Sequence, residues 1–265
     1  MKLNLALSMA CAAACGLAAL PAAAAGGAPY WDYTGQDQWA GIVDTSDPSL
    51  VPPYNYPYAE CGIGQNQSPM DLAGVAQGTV NRLKWSYPKA EQPTYLNNGH
   101  AGQVTMPVGY AGTLSVGNDA YPLIQFHFHA PSEHVINGVA HDAELHYVHV
   151  RADGKIAVLG VFLDVGAENP ALDRVLNNIP QTVGSVTGPA VSPGAFLPVK
   201  DDRQSLYTYA GSLTTPPCSE GVSWYVQSQP ITLSATQLDA LKAIYDENAR
   251  HPQSANGRVV TQTFP

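Results

Sequence analysis

Short runs of apolar or alternating apolar and polar residues recur from residue 80 onward, separated by turns rich in Gly, Pro, Asn and Asp. Such runs are typical of β-strands, because alternate side chains of a strand point to opposite faces of a sheet. Their close spacing favours one extended sheet with largely antiparallel neighbours. The runs are Tyr95–Leu96, Gln103–Met106, Thr113–Val116, Leu123–Phe128, Leu145–Val150, Ile156–Leu163 and Val222–Val226.

Two segments carry the period of a helix. The first begins at Asn169, a favoured N-cap residue, which is followed by Pro170 at the first helical position. The second is predicted over Ser234–Asn248, where Ser234 and Gln237 have the spacing of a capping box. Their apolar faces carry Leu172, Val175, Leu176 and Ile179, then Leu238, Leu241 and Tyr245. The predicted fold class is therefore α+β, mainly β: a single domain built on a large, mostly antiparallel, twisted central sheet with peripheral helices.

Residues 1–25 have the pattern of an export signal. Lys2 is followed by the uncharged apolar stretch Leu3–Leu20, and Ala22–Ala25 then offers small residues for cleavage. A transmembrane anchor is the alternative, although the apolar stretch is short and rich in Ala. A lipoprotein is a third reading, because Cys11 and Cys15 lie inside the signal.

The composition of the chain limits the binding partners of the predicted single domain, residues 26–265. The chain has a formal net charge of −9, only 12% charged residues and no cluster of Lys and Arg. This argues against nucleic acid and anionic membranes as partners. A small neutral or anionic substrate would need a local positive centre, such as a metal ion.

Two cysteines, Cys61 and Cys218, remain after the signal. In an oxidising compartment their simplest interpretation is one disulfide, which on the chain-entropy estimate stabilises by roughly 4–5 kcal/mol. Metal binding by this pair is the weaker alternative, since neither cysteine has CxxC spacing. The signal and the disulfide together predict a periplasmic or secreted protein.

Three histidines are candidate metal ligands. His127 and His129 are two residues apart in an alternating run and therefore share one strand face. His146 follows after turn residues, so an antiparallel return can place it beside the pair. Three imidazoles with an open fourth position are typical of a catalytic Zn²⁺ site rather than a closed structural one. By spacing alone, the alternative of satisfied core histidines stays open.

Polar neighbours favour the interpretation of these histidines as metal ligands. Gln125 and Glu144 each precede a candidate ligand by two residues, on the same strand face. There they could accept the second ring N–H of a liganding histidine. Burial of these two polar side chains in a plain apolar core would cost free energy. His149, three residues after His146, is expected on the opposite face and is not predicted as a ligand.

An ordered set of motifs between about Tyr30 and Phe264 resembles the alpha-class carbonic anhydrases, in particular exported bacterial members. The set includes Gln67-Ser-Pro69 and Asn98-Gly-His100. Its longer members are Gln125-Phe-His-Phe-His129, Ser132-Glu-His134, Ala143-Glu-Leu-His146, Ala157-Val-Leu-Gly-Val-Phe-Leu163 and Tyr209-Ala-Gly-Ser-Leu-Thr-Thr-Pro-Pro217.

The resemblance implies reversible hydration of carbon dioxide to bicarbonate and a proton by zinc-bound hydroxide. It implies that Thr214 accepts the proton of that hydroxide and donates its own to Glu133, which orients the attacking oxygen. It also implies inhibition by sulfonamides and anions, and it leaves room for a homodimer. A catalytically silent binding module is the alternative function, and ester hydrolysis is expected only as a side activity.

The resemblance assigns the remaining site residues by position. His100 matches the proton shuttle, and the backbone carbonyl of Asn248 is expected to contact His129. The ordered water path is expected to involve Tyr33, Asn98 and Gln103. The substrate and inhibitor pocket is expected to contain Thr215 and an apolar wall of Val158, Leu213, Val222 and Trp224, which could equally be plain core.

Three further positions complete the expectations. His134 resembles a buried structural histidine near Glu133, and His141 is expected on a surface loop. The segment Asn248-Ala-Arg250-His251 departs from the family's usual Asn-x-Arg-Pro pattern.

Overall fold

The computed structural model describes residues 28–78, 83–198 and 205–263. The predicted signal of residues 1–25 lies outside these described residues and stays a prediction. The strands are β1 (Ala76–Gln77), β2 (Leu83–Ser86), β3 (Thr94–Asn97), β4 (Gly102–Thr105), β5 (Thr113–Val116), β6 (Asp119–His129), β7 (Val135–Ile136), β8 (Val139–Ala140), β9 (Ala143–Val150), β10 (Ile156–Val165), β11 (Gly184–Thr187), β12 (Leu206–Ser212), β13 (Glu220–Gln227), β14 (Ile231–Leu233) and β15 (Thr261–Thr263).

The helices are few and short. The α-helices are α1 (Glu60–Ile63), α2 (Pro170–Leu176) and α3 (Ala235–Ile244), and two 3₁₀ helices cover Gln36–Gly41 and Pro193–Phe196. Among the described residues, none of these helices has the length and apolar character needed to cross a membrane. The predicted fold class, mainly β with peripheral helices, is confirmed.

One large sheet dominates the described residues, with the strand order β1-β15-β12-β13-β10-β9-β6-β4-β3-β11 along its main path. Strand β14 pairs with β10, and β2 joins through β5 to β6. Most neighbours are antiparallel, as predicted. The sheet is nevertheless mixed, because β10 runs parallel to β13 and β14, and β1 runs parallel to β15.

A bulge in β6 determines which side chains face the metal-binding side. The register of β6 against β9 shifts between Leu123 and Gln125. The extra residue restarts the alternation, so that Leu123, Phe126 and Phe128 all pack in the main core. Gln125, His127 and His129 are thereby turned together to the opposite face.

The predicted helix starts are correct, but the second helix is shorter than predicted. Asn169 caps α2 by accepting from the Ala171 N–H, and Ser234 and Gln237 form the capping box of α3. Helix α3 ends at Ile244, not at Asn248. Tyr245 has an extended backbone (φ −156°, ψ 122°) and Glu247 a positive φ of 55°, so the helix cannot continue to Asn248, which instead bonds to other segments.

The two cysteines of the predicted disulfide, Cys61 and Cys218, are bonded. Cys61 lies in α1, and Cys218 follows the turn after β12, so the bond joins segments that are 157 residues apart in the chain.

Candidate metal centre and active site

The three candidate ligands meet on one face of the central strands. His127 and His146 are direct cross-strand partners in the register of β6 and β9. The ring centroids lie 4.9 Å apart for His127 and His129, 5.3 Å for His127 and His146, and 4.6 Å for His129 and His146. The candidate ligand atoms all lie within 4.8 Å of one another. This spacing suits coordination of one ion by three imidazoles.

Each imidazole has an acceptor at its other nitrogen. His127 Nδ1 donates to Gln125 Oε1 at 2.8 Å, and His129 Nδ1 donates to the Asn248 carbonyl at 2.6 Å. His146 Nε2 lies 3.0 Å from Glu144 Oε1, a close contact rather than a hydrogen bond among the described residues. These contacts leave a lone pair on Nε2 of His127 and His129 and on Nδ1 of His146, the tautomers that a metal requires.

The pKa shifts of His127 and His129 also fit zinc; at His146, burial is outweighed by the charge of Glu144, which raises the pKa. Burial lowers the pKa of His127 well below its ordinary value, and the neighbouring His129 and His146 lower it further. Burial likewise lowers the pKa of His129, against the opposing charge of Glu133. His129 Nε2 is fully buried and has no hydrogen-bond partner among the described residues. An unpaired buried nitrogen is costly, and coordination of Zn²⁺ by neutral imidazoles removes that cost.

A second group, His134, Glu144 and His146, also has metal-ligand spacing, but hydrogen bonds already engage it. Glu144 Oε1 accepts from His134 Nδ1 at 2.7 Å, and Oε2 accepts from the backbone N–H groups of Glu133 and His134. His134 Nε2 contacts the Tyr209 hydroxyl at 2.7 Å. Burial opposes ionisation of Glu144, yet the charges of His134 and His146 and these bonds hold its pKa well below the usual value. His134 therefore has a structural environment.

Glu133 lies beside the ligands and is fully buried. Its Oε1 accepts from the Arg250 backbone N–H at 3.0 Å, and its Oε2 lies 3.5 Å from His129 Nε2 and 3.8 Å from His146 Nδ1. Oε2 has no hydrogen-bond partner in the described part of the chain. The hydrogen bond expected from Thr214 to Glu133 is therefore not formed here, although Thr214 is buried in the turn after β12.

His100 is held at the loop between β3 and β4. Its backbone N–H and that of Ala101 donate to Asn98 Oδ1, so Asn98 shapes the loop. The ring of His100 stacks on Trp31, with centroids 3.8 Å apart and planes within 8°. Burial lowers the pKa of His100, and Asp32 partly opposes this shift. Trp31 was missed by the sequence reasoning; its position two residues before Tyr33 is the only local signal.

The expected pocket residues lie around the metal face. Val158, Val222 and Trp224 share one buried apolar cluster, against which Leu213 packs, and Val158 is the cross-strand partner of Trp224. Val148 belongs to the same cluster and was also missed. Its position two residues after His146, on the same face of β9, could have identified it.

The other expected residues take different positions. Thr215 is half-buried, and its carbonyl accepts from the Cys218 N–H at 2.9 Å. Gln103 is the cross-strand partner of His127, and its amide donates to Thr105. The Tyr33 hydroxyl is buried without a hydrogen-bond partner among the described residues.

Comparison with known proteins agrees with this fold. The family description "Eukaryotic-type carbonic anhydrase" matches residues 52–264. The chain is 35% identical to a carbonic anhydrase of Klebsiella pneumoniae, covering 89% of this chain and 92% of that protein. It is also 35% identical to a carbonic anhydrase of Neisseria gonorrhoeae, with 92% of each chain covered.

A solved structure gives the same result. The alpha-carbonic anhydrase of Thermovibrio ammonificans, determined with the inhibitor sulfanilamide, matches with a TM-score of 0.77 and 37% identity, over 89% of this chain and all of that chain. The fold and the open three-histidine centre define a zinc-dependent lyase. The chain belongs to the eukaryotic-type, or alpha, carbonic anhydrase family.

Proposed function

We propose that this chain catalyses the reversible hydration of carbon dioxide to bicarbonate and a proton, with zinc held by His127, His129 and His146. The observation that carries this proposal is the convergence of three imidazoles at metal-ligand spacing, each with an acceptor close to its other nitrogen. Zinc supplies Lewis acidity, which generates a nucleophile from water near neutral pH. The remaining steps are assigned to side chains of the protein.

Orientation of the nucleophile is assigned to Glu133 and Thr214. Glu133 is fixed by the Arg250 backbone N–H and keeps Oε2 available on the metal side. A rotation of the Thr214 side chain would let its hydroxyl donate to this oxygen and accept from the nucleophile. Such orientation lowers the barrier because the reacting atoms are held close to the attack geometry.

Substrate binding is assigned to the apolar wall of Val148, Val158, Leu213, Val222 and Trp224. Carbon dioxide is nonpolar, so apolar side chains next to the metal hold it while excluding competing water. Contact with bicarbonate or an inhibitor is assigned to Thr215. Sulfonamides and small anions are the expected inhibitors.

Proton removal is assigned to His100, since an imidazole with an ordinary pKa near 6.5 exchanges protons with buffer near neutral pH. Tyr33 and Gln103, with the loop shaped by Asn98, are assigned to the water path that leads to it. The signal sequence and the disulfide support a periplasmic or secreted location. A homodimer stays a prediction.

Stopped-flow hydration of carbon dioxide tests the function directly. We expect zinc-loaded protein to be active and sulfonamide-sensitive, and His127→Ala to lose both zinc and activity. His141→Ala is the matched control, because His141 pairs with Asp164 and stacks on Phe162 and is not one of the candidate ligands. Zinc-loaded protein without hydration activity would support the silent binding module instead. Ester hydrolysis without carbon dioxide hydration would identify a hydrolase.

A further inference from the structure

The Arg250 side chain is a buried cation that binds neutral acceptors. Arg250 is only 4% exposed. Within the described part of the chain, Nη1 donates to Gln67 Oε1 at 2.9 Å and to the Ser68 carbonyl at 2.7 Å, and Nη2 donates to the Cys61 carbonyl at 2.9 Å. Burial lowers the pKa of Arg250 to about 10, against the raising effect of Glu133. The group therefore stays charged at neutral pH, and its charge-assisted bonds hold these three acceptors together.

One arm of this network leads to the disulfide. Gln67 accepts from Arg250 through Oε1 and donates through Nε2 to the Cys218 carbonyl at 3.0 Å. The Cys61 carbonyl, on the other cysteine, accepts directly from Arg250. Arg250 is thus tied to both ends of the disulfide by hydrogen bonds.

The disulfide end in turn holds the turn that carries Thr214. The Cys218 N–H donates to the Thr215 carbonyl at 2.9 Å, and the Leu213 N–H donates to the Ser219 carbonyl at 3.0 Å. These two bonds close the turn around Thr214. A shift of Cys218 would therefore move Thr214 with it.

The other arm leads to Glu133. The backbone N–H of Arg250 donates to Glu133 Oε1 at 3.0 Å, and Glu133 is fully buried. Because the guanidinium anchors the residue, it also sets where this N–H lies. We propose that Arg250 is a positioning residue, which sets the placement of Thr214 relative to Glu133. The inference rests on the proposed function, which gives Thr214 and Glu133 their role.

Arginine is required at this position because one planar group reaches three acceptors at once. A lysine ammonium is a single point and cannot reproduce that fork. Arg258 provides a matched control. It donates to the carbonyls of Gln67, Ala210, Ser254 and Ala255 and lies over the Tyr209 ring. In the described ranges of the chain it has no hydrogen bond to Glu133 or to the Thr214 turn.

The kinetic test compares zinc-loaded Arg250→Lys with zinc-loaded Arg258→Lys by stopped-flow hydration in saturating buffer. We expect kcat/KM of Arg250→Lys to fall roughly tenfold or more, because small misplacements of reacting groups are expensive. The loss should not depend on buffer concentration, and zinc content should be unchanged. Arg258→Lys should stay within about twofold of the unmodified protein, since no catalytic group is displaced.

A second readout needs no metal. Amide hydrogen exchange of Leu213 and Cys218 in metal-free protein should be faster in Arg250→Lys and unchanged in Arg258→Lys. Gln67→Met, which keeps the guanidinium but removes the hydrogen bonds of the Gln67 side chain with Arg250, Cys218 and Glu220, should show both effects if Arg250→Lys does not fold. An unmodified protein without activity would contradict the proposed function, whereas the exchange measurement would still test the network. Equal kcat/KM for an active unmodified protein and Arg250→Lys, or unchanged exchange, would overturn the positioning role.

Discussion

Two buried histidines on opposite faces of the same sheet, His129 on β6 and His149 on β9, have opposite hydrogen-bond environments. His149 Nδ1 donates to the Ala157 carbonyl at 3.1 Å, so Nε2 is the acceptor for the Tyr87 hydroxyl at 2.8 Å. His129 has an acceptor at Nδ1 only, and its Nε2 is buried without a partner among the described residues. Both residues are almost completely buried, so burial does not distinguish them.

The difference shows that hydrogen bonding at the second ring nitrogen distinguishes a structural histidine from a candidate metal ligand. A buried imidazole with both nitrogens engaged contributes to the fold, as His134 also does. A buried imidazole with one free lone pair is costly to the fold unless something binds there. The comparison therefore predicts that substitutions on the two faces damage different properties of the protein.

The largest effect is expected for His129→Ala. The variant loses one of three ligands, so zinc should be lost on dialysis and carbon dioxide hydration should fall to background. The stability of the metal-free protein should be affected less than zinc binding, because a costly unpaired nitrogen is removed with the ring. Zinc content by atomic absorption and hydration by stopped flow measure both quantities. Retention of stoichiometric zinc by His129→Ala would show that the unpaired nitrogen is not a ligand.

His149→Leu should have the opposite profile. It removes the hydrogen bonds of His149 to the Tyr87 hydroxyl and the Ala157 carbonyl, and we expect a loss of about 2–4 kcal/mol in the free energy of unfolding. The zinc stoichiometry and kcat/KM of the folded variant should be unchanged. Denaturant unfolding gives the stability, and Tyr87→Phe, which removes only the donor, should cost less. Loss of zinc by a folded His149→Leu protein would break the comparison.

The same variant should also differ in the pH dependence of its stability. Burial lowers the pKa of His149 to about 3 in the folded protein, whereas the unfolded side chain titrates near its ordinary 6.5. The unfolded state therefore binds more protons below pH 6.5, and stability falls as the pH drops from about 6.5 towards 3. In metal-free protein, this part of the decline should be missing from His149→Leu. An unchanged slope between pH 6 and 4 would mean that other groups carry the whole acid effect.

The metal face was predictable from the sequence because a strand has a strict period of two. The His127 and His129 pair, and the acceptor Gln125 two residues earlier, follow from that period alone. The change of phase within β6, which puts Leu123 on the same face as Phe126 and Phe128, was not predictable, because the bulge between Leu123 and Gln125 causes it. A one-residue insertion in the pairing changes no local composition, so only the assembled sheet shows it.

Contacts made by the backbone were harder to predict from residue types. The Asn248 side chain binds the carbonyls of Phe128 and His100 and the N–H of Ala130, beyond the end of a helix that local pattern extends to Asn248. His251 stands where the family usually has proline, and its N–H donates to Gln36 Oε1 at 2.6 Å. Proline has no N–H and could not make this bond. Tertiary partners more than 100 residues away in the chain decide such features.

His100 offers the smallest and most selective test. Its Nδ1 is buried without a hydrogen-bond partner among the described residues, like His129 Nε2, but its ring stacks on Trp31 instead of joining the metal cluster. We expect His100→Ala to keep zinc and to hydrate carbon dioxide roughly tenfold more slowly in weak buffer, a range typical of lost acid–base assistance. Concentrated imidazole buffer should restore most of the rate, because the external base replaces the missing side chain. His251→Ala, an exposed histidine 3.4 Å from Asp37, is the control and should show no buffer dependence beyond that of the unmodified protein. If His100→Ala responded to buffer as the unmodified protein does, an unpaired buried nitrogen would not suffice to identify a catalytic histidine.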